Sequence, residues 1–175
     1  YKQFDKYYLF IELGLRRLLK DHGVLAYLVS RKFTHIESGK RIRQLIFQGR
    51  NLYRLIDFGS TQLFSNKTNY TCILFLKNQG VDGESETLEY ALVNSLADWL
   101  AITTEFPINS SERYFNLPRD FVDTDLAWLL PNTPEELALL ENLRIKTVKL
   151  QDLFNAYNGI QTSRNSVYVI SSWDD

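Results

Sequence analysis

Two apolar runs flanking a short polar and aromatic stretch set the tightest limit on what this chain can fold into. Leu52-Tyr-Arg-Leu-Ile-Asp-Phe-Gly59 and Thr71-Cys-Ile-Leu-Phe-Leu-Lys77 are each of strand length and rich in branched and aromatic residues, with no internal Gly or Pro. Near-continuous apolar runs of this kind mark strands covered on both faces, in the middle of an α/β sheet. The connection between them is too short for a helical crossover, so the two strands are expected to be antiparallel neighbours. Phe64, between Leu63 and Ser65, then falls on a loop at one end of the sheet. Sites are commonly built on such loops. The plain alternative is that Phe64 folds back as a lid on the core.

Length and composition fit an ordinary globular protein. The chain has 175 residues, 45% hydrophobic and 23% charged, enough for one domain or a domain with part of another. No apolar run reaches the roughly 18 residues of a membrane span. The single cysteine, Cys72, lies mid-strand, where a buried inert thiol and a reducing cytoplasm are expected. His22 and His35 have no spacing that indicates a metal. With Tyr1 first and no methionine anywhere, the chain reads as a piece of a longer polypeptide. Charge is divided unevenly along it. Residues 1–77 hold 14 Lys/Arg against 5 Asp/Glu, net +9, and residues 78–145 hold 3 against 13, net −10. The basic part is suited to phosphates, although a charge run also serves as a solvated face.

Taken in order, Asp5 is expected to cap a helix over Lys6 to Lys20, with Phe4 and Leu9 as its hydrophobic staple. Its first turns, Tyr7 to Ile11, are apolar almost all round and are expected to be deeply buried. Val24–Val29 reads as a buried strand, and a second helix over about 38–48 puts Ile42, Leu45 and Ile46 on one face. Lys40, Arg41 and Arg43 are left for its other faces. Strand, helix, strand implies a right-handed parallel crossover, with the antiparallel strand at 71–77 inserting or adding beside it. Such a half sheet has a raw edge, again expected to meet upstream strands. Leu88–Val93 reads as a short strand, and Ser95 with Asp98 as the cap of a short helix through Ala101. Residues 102–132 read as irregular. Thr133-Pro-Glu-Glu136 is a helix start, with Leu137, Leu140 and Leu143 at helical spacing. Lys149–Phe154 reads as a helical turn, followed by a hairpin through Ile170.

The segments "FDKYYLFIELGLRRLLKDHGVLAYLVSRKF", "RLIDFGSTQLFSNKTNYTCILFL" and "KLQDLFNAYNGIQTSRNSVYVI", in this order and spacing, resemble the gamma-class, TaqI-like DNA adenine methyltransferases of restriction–modification systems. The resemblance covers about three-quarters of the chain and is weakest over 78–130; Ser30 stands where the family usually has Pro. It implies the C-terminal half of a Rossmann-like, S-adenosylmethionine-dependent methyltransferase sheet with an antiparallel last strand. Residues 1–77 would belong to that catalytic domain, 78–145 to an acidic α+β connector, and 146–175 to the start of a target-recognition domain opening with a β-hairpin. By residue, it implies that Phe64 stacks on the flipped target adenine with Lys67 nearby, and that Phe10 lines the adenine pocket of S-adenosylmethionine. Phe10 serves equally as an ordinary core aromatic of a buried helix.

Lys32, Lys40, Arg41 and Arg43 are candidate phosphate contacts, and Thr162 and Arg164 candidate DNA contacts on a polar turn of the recognition unit. The family's Asn-Pro-Pro-aromatic segment, which orients the adenine amino group, does not occur in these 175 residues. The chain alone is therefore expected neither to bind S-adenosylmethionine tightly nor to transfer methyl, and to need the upstream half of its own polypeptide. Double-stranded DNA is the expected partner, in a restriction–modification or phage-defence enzyme. A non-catalytic DNA-recognition or assembly module on the same fold stays open, as does a Rossmann-like transferase acting on RNA or protein.

Overall fold

The computed structural model describes residues 5–64, 70–78, 86–95, 97, 114–122, 124, 126–146 and 153–155. Helix α1, Tyr7–Leu13, continues as a π-helical turn, Gly14–Leu18. Strand β1 is Val24–Ser30, and helix α2 is Lys40–Gln48. Strands β2 (Leu52–Asp57), β3 (Thr71–Lys77), β4 (Thr87–Leu92) and β5 (Tyr114–Pro118) follow, then helix α3, Pro134–Lys146.

The five strands form one sheet in the order β1-β3-β2-β4-β5. The late strand β3 inserts between β1 and β2 and runs antiparallel to both, in register Ser30↔Thr71 and Asp57↔Cys72. β1 and β2 are therefore parallel to each other, joined by the crossover through α2. β4 lies parallel to β2, and β5 antiparallel to β4. Two strands from the acidic stretch thus complete the sheet. β5 falls in the region read as irregular; its sequence, Tyr-Phe-Asn-Leu-Pro, is short and ends in Pro, so no clean alternation marks it.

The two faces of the sheet are filled differently. Leu55, Cys72, Leu74, Leu76, Leu88 and Tyr90 point to the face that carries the helices, where they pack with Ile11 of α1, Ile42 and Ile46 of α2, Phe33 and Trp128. Phe33 meets Trp128 edge to face at 5.3 Å. The opposite face holds a smaller cluster of Ile56, Phe58, Ala91 and Val93, with Leu63, Ile73 and Phe75 partly buried against it. There Arg54 pairs with Glu89 across the parallel strands and lies over the rings of Tyr53 and Phe75.

Four local expectations need correction. No side chain caps α1: the first helical position is preceded by Lys6, and Asp5 contributes only its carbonyl, which accepts from the Tyr8 N–H at 3.1 Å. The first turns of α1 are not buried all round. Tyr8 and Ile11 are inside, but Leu9, Phe10 and Leu13 are exposed, because the helix packs through one stripe only. β1 is an edge strand among the described residues, and Val24 and Leu28 are about half exposed. Arg43 does not sit on an outer face of α2 but is buried. At the other end of the chain the local signal holds. The Thr133 hydroxyl accepts the Glu136 N–H at 3.2 Å, while the Glu136 carboxylate turns back to the N–H and side-chain amide of Asn132, both at 2.8 Å. Leu137 and Leu140 pack on the core, and Leu143 is exposed. The expected helix after Ser95 and the hairpin around 160–170 lie outside the described residues.

The chain divides into two compact units, 1–141 and 142–175. Among the described residues no helix is long and apolar enough to cross a membrane.

Candidate nucleic-acid interface

The C-terminal ends of the parallel strands β1 and β2 lie at the same end of the sheet, on either side of β3, and the loop between β2 and β3 opens there. In open α/β sheets this is the end at which ligands bind. The loop starts with Gly59 in the left-handed region, φ +51°, a conformation glycine adopts without steric cost. The Gly59 N–H donates to Asp57 Oδ1 at 2.8 Å, and the Thr61 N–H to the Phe58 carbonyl at 2.8 Å. Thr61 Oγ1 donates to the Val93 carbonyl at 3.2 Å. Leu63 tucks against the smaller apolar cluster, and the next side chain, Phe64, turns outward with 49% of its surface exposed. Phe64 is not a lid on the core. It is a ring at the rim, flanked by two strands that pair with each other.

Beneath this loop lies a buried polar hub that spacing in the sequence does not reveal. Asp57 is 0% exposed. Its Oδ2 accepts from Arg31 Nη1 at 2.5 Å and from the Tyr90 hydroxyl at 3.3 Å, while Oδ1 is taken by Gly59. Burial disfavours the charged guanidinium, but attraction to Asp57 more than offsets this and holds the Arg31 pKa above its ordinary value. Burial, with Asp57 beside it, pushes the Tyr90 phenol well up. Burial does the same to the Cys72 thiol, leaving it inert as expected.

The turn after β1 is basic. Ser30 Oγ accepts the Lys32 N–H at 3.4 Å, starting the 3-10 turn Arg31–Thr34. Lys32 and His35 are exposed on it. Partial burial, with Arg31, Arg43 and Lys32 around it, holds the His35 pKa below its usual value. Arg43 reaches up from α2 beneath this turn, donating to the Phe33 carbonyl at 2.5 Å and the Ile36 carbonyl at 2.8 Å. Its Nη1 is spent on fixing the backbone of the turn that carries the exposed Lys32 and His35. Lys40 and Arg41, at the start of α2, are exposed and line a groove of about 1100 Å³ between α1 and α2.

Phe10 stands 61% exposed on α1. The Tyr27 hydroxyl donates to its backbone carbonyl at 3.2 Å. A Cβ added at Gly14 would come within 2.7 Å of that same hydroxyl, so glycine there permits the close approach of α1 to β1. Lys67, Thr162 and Arg164 lie outside the described residues.

With this geometry in place, the likeness to known proteins is specific. Residues 1–64 match the family described as Eco57I restriction-modification methylase. The chain is similar to type II restriction–modification methyltransferases. It is 34% identical over 172 residues, 97% of its length, to the Type II restriction enzyme and methyltransferase RM.Eco57I of Escherichia coli. It is 22% identical over 195 residues, 98% of its length, to the Type II methyltransferase M.BanIII of Aneurinibacillus aneurinilyticus. The chain spans 16% and 33% of the length of these two relatives. Its fold is shared with a chain from a type I restriction–modification system at a TM-score of 0.56, with 14% identity, over 83% of this chain and 38% of that one.

Proposed function

We propose that this chain forms part of a site-specific, adenine-specific DNA methyltransferase, transferring methyl from S-adenosylmethionine to the exocyclic amino group of an adenine swung out of the duplex. The setting proposed for it is a restriction–modification or phage-defence enzyme located in the cytoplasm. The observation that carries the reading is the position of Phe64: an exposed ring, on a loop tied down at its base, at the ligand-binding end of the sheet. An enzyme that modifies a base has to extrude it at a cost of a few kcal/mol. A ring waiting at the rim returns about 1–3 kcal/mol by stacking. Lys32, Lys40 and Arg41, exposed along the adjoining turn and the start of α2, hold backbone phosphates, joined by Lys67, three residues on from Phe64 in sequence. Thr162 and Arg164 contribute DNA contacts from the recognition unit.

S-adenosylmethionine supplies an electrophilic methyl group when bound. The part of this chain that fits it is Phe10, whose exposed ring on a backbone anchored by Tyr27 is suited to cover an adenine face. The upstream half of the same polypeptide is assigned the remainder of that pocket and the group that orients the target amine. The test is made on the full polypeptide that contains this chain. Incubation of adenine-containing duplexes with methyl-labelled S-adenosylmethionine, followed by nucleoside analysis, is expected to place label on N6-methyladenine. Label on cytosine, on RNA or on protein, or none at all, rejects the proposal.

A further inference from the structure

We infer that Arg31 is a phosphate-binding residue of the DNA interface, aimed outward by the buried Asp57 carboxylate, so that one hub fixes both a backbone phosphate and the loop carrying Phe64. This rests on the DNA-modifying reading above and adds to it a contact that neither spacing nor charge density in the sequence singles out.

A carboxylate with no exposed surface needs a partner for its charge, and Arg31 Nη1 supplies it at 2.5 Å. A partner needed only for that purpose would be enclosed with it. Arg31 is not: 30% of its side chain stays exposed while Asp57 has none. Its Nε and Nη2 make no hydrogen bond among the described residues. A guanidinium is a planar fork that can bind one oxyanion with one edge and a second with another, which an ammonium cannot do with the same directionality.

The backbone at Arg31 is held on both sides of the side chain. Its N–H donates to the Tyr70 carbonyl at 2.9 Å, and its carbonyl accepts from Thr34 Oγ1 at 2.9 Å. The bond to Tyr70 joins the basic turn to the far end of the loop that bears Phe64, and Asp57 holds the near end through Gly59. Arg31 therefore spans the mouth of that loop, and Lys32 beside it adds a second exposed cation. Arg31 Nη1 and the Gly59 N–H share the Asp57 carboxylate at the base of the loop that carries Phe64, so the anion assigned to Arg31 is a phosphodiester of the strand that carries the extruded base.

The experiment couples a single residue to a single phosphate. The full polypeptide is titrated with a duplex carrying the adenine site that it methylates, in which each phosphate near the target is replaced in turn by a neutral methylphosphonate. For the native sequence one replacement is expected to weaken binding about tenfold, as for loss of one charge-assisted contact. In Arg31→Gln the same replacement is expected to weaken binding no further. Arg31→Lys keeps Asp57 paired, and so keeps the fold should Arg31→Gln not fold; with its ammonium taken by the carboxylate, it is expected to show the same loss of sensitivity. A full set of phosphate sensitivities retained in either folded variant overturns the inference while leaving the methyltransferase reading intact. A native polypeptide that neither binds nor methylates any duplex overturns that reading as well.

Discussion

Replacing Phe64 by Ala separates the two roles open to an aromatic ring at the end of a sheet. Full burial of a phenylalanine contributes about 1.5–3 kcal/mol. With 49% of Phe64 already exposed, truncation is expected to cost the fold about 1 kcal/mol, a shift of roughly 2–4 °C in melting midpoint for a protein of this size. Loss of a stacked base costs about 1–3 kcal/mol, and at 1.4 kcal/mol per decade that is about a five- to 150-fold fall in the population of the extruded base. The assay uses 2-aminopurine at the target position, whose fluorescence rises when it leaves the stack, and titrates it with the full polypeptide. Phe64→Ala is expected to abolish most of the rise at matched occupancy while leaving S-adenosylmethionine affinity near native, and Phe64→Trp to retain it. An undiminished rise in Phe64→Ala refutes base stacking by this ring. A melting loss of many degrees with unchanged extrusion makes it a packing residue instead.

Three further outcomes follow from the interior. Arg43→Met removes two charge-assisted bonds to the Phe33 and Ile36 carbonyls and is expected to lower urea-unfolding stability by about 3–5 kcal/mol; a change under 1 kcal/mol places Arg43 on the surface after all. Cys72, buried with its thiol pKa pushed up, is expected to ignore aromatic disulfide reagents at pH 8 until denaturant is added, and prompt reaction in the folded protein contradicts the sheet order. His35 is expected to titrate by NMR below its ordinary value of 6.5 and to rise toward it when Arg31 is replaced by Gln. Because its pKa is lower folded than unfolded, its contribution to stability is present above pH 6.5 and declines as pH falls through that value toward the folded pKa.

What could be read in advance follows the range of the forces involved. The bounds of β1 and β3 and the antiparallel pairing of β3 with β2 are legible from continuous apolar runs and a connection too short to cross over, both local signals, whereas the insertion of β3 between β1 and β2 is not. Thr133 was legible for the same reason, since a cap and its N–H lie three residues apart. The hub was not. Asp57 meets Arg31 across 26 residues and Tyr90 across 33, and no spacing rule links an aspartate ending one strand to an arginine following another. At Arg43 charge by itself argues for solvent, whereas its partners are carbonyls that only the folded turn brings together. Composition argues for a buried start of α1, although composition does not say how many sides of a helix have neighbours. Phe64 was placed on the correct loop by the strands around it, but its outward direction depends on Leu63 taking the apolar site beside it.

Whether the ring of residue 64 faces a base taken out of DNA is decided by photocrosslinking. A duplex with 5-iodouracil in place of the adenine that the full polypeptide methylates is irradiated in complex with it, and the linked peptide is sequenced. A crosslink at Phe64 is the expected result. A crosslink confined to another part of a polypeptide that still methylates the unmodified site contradicts it.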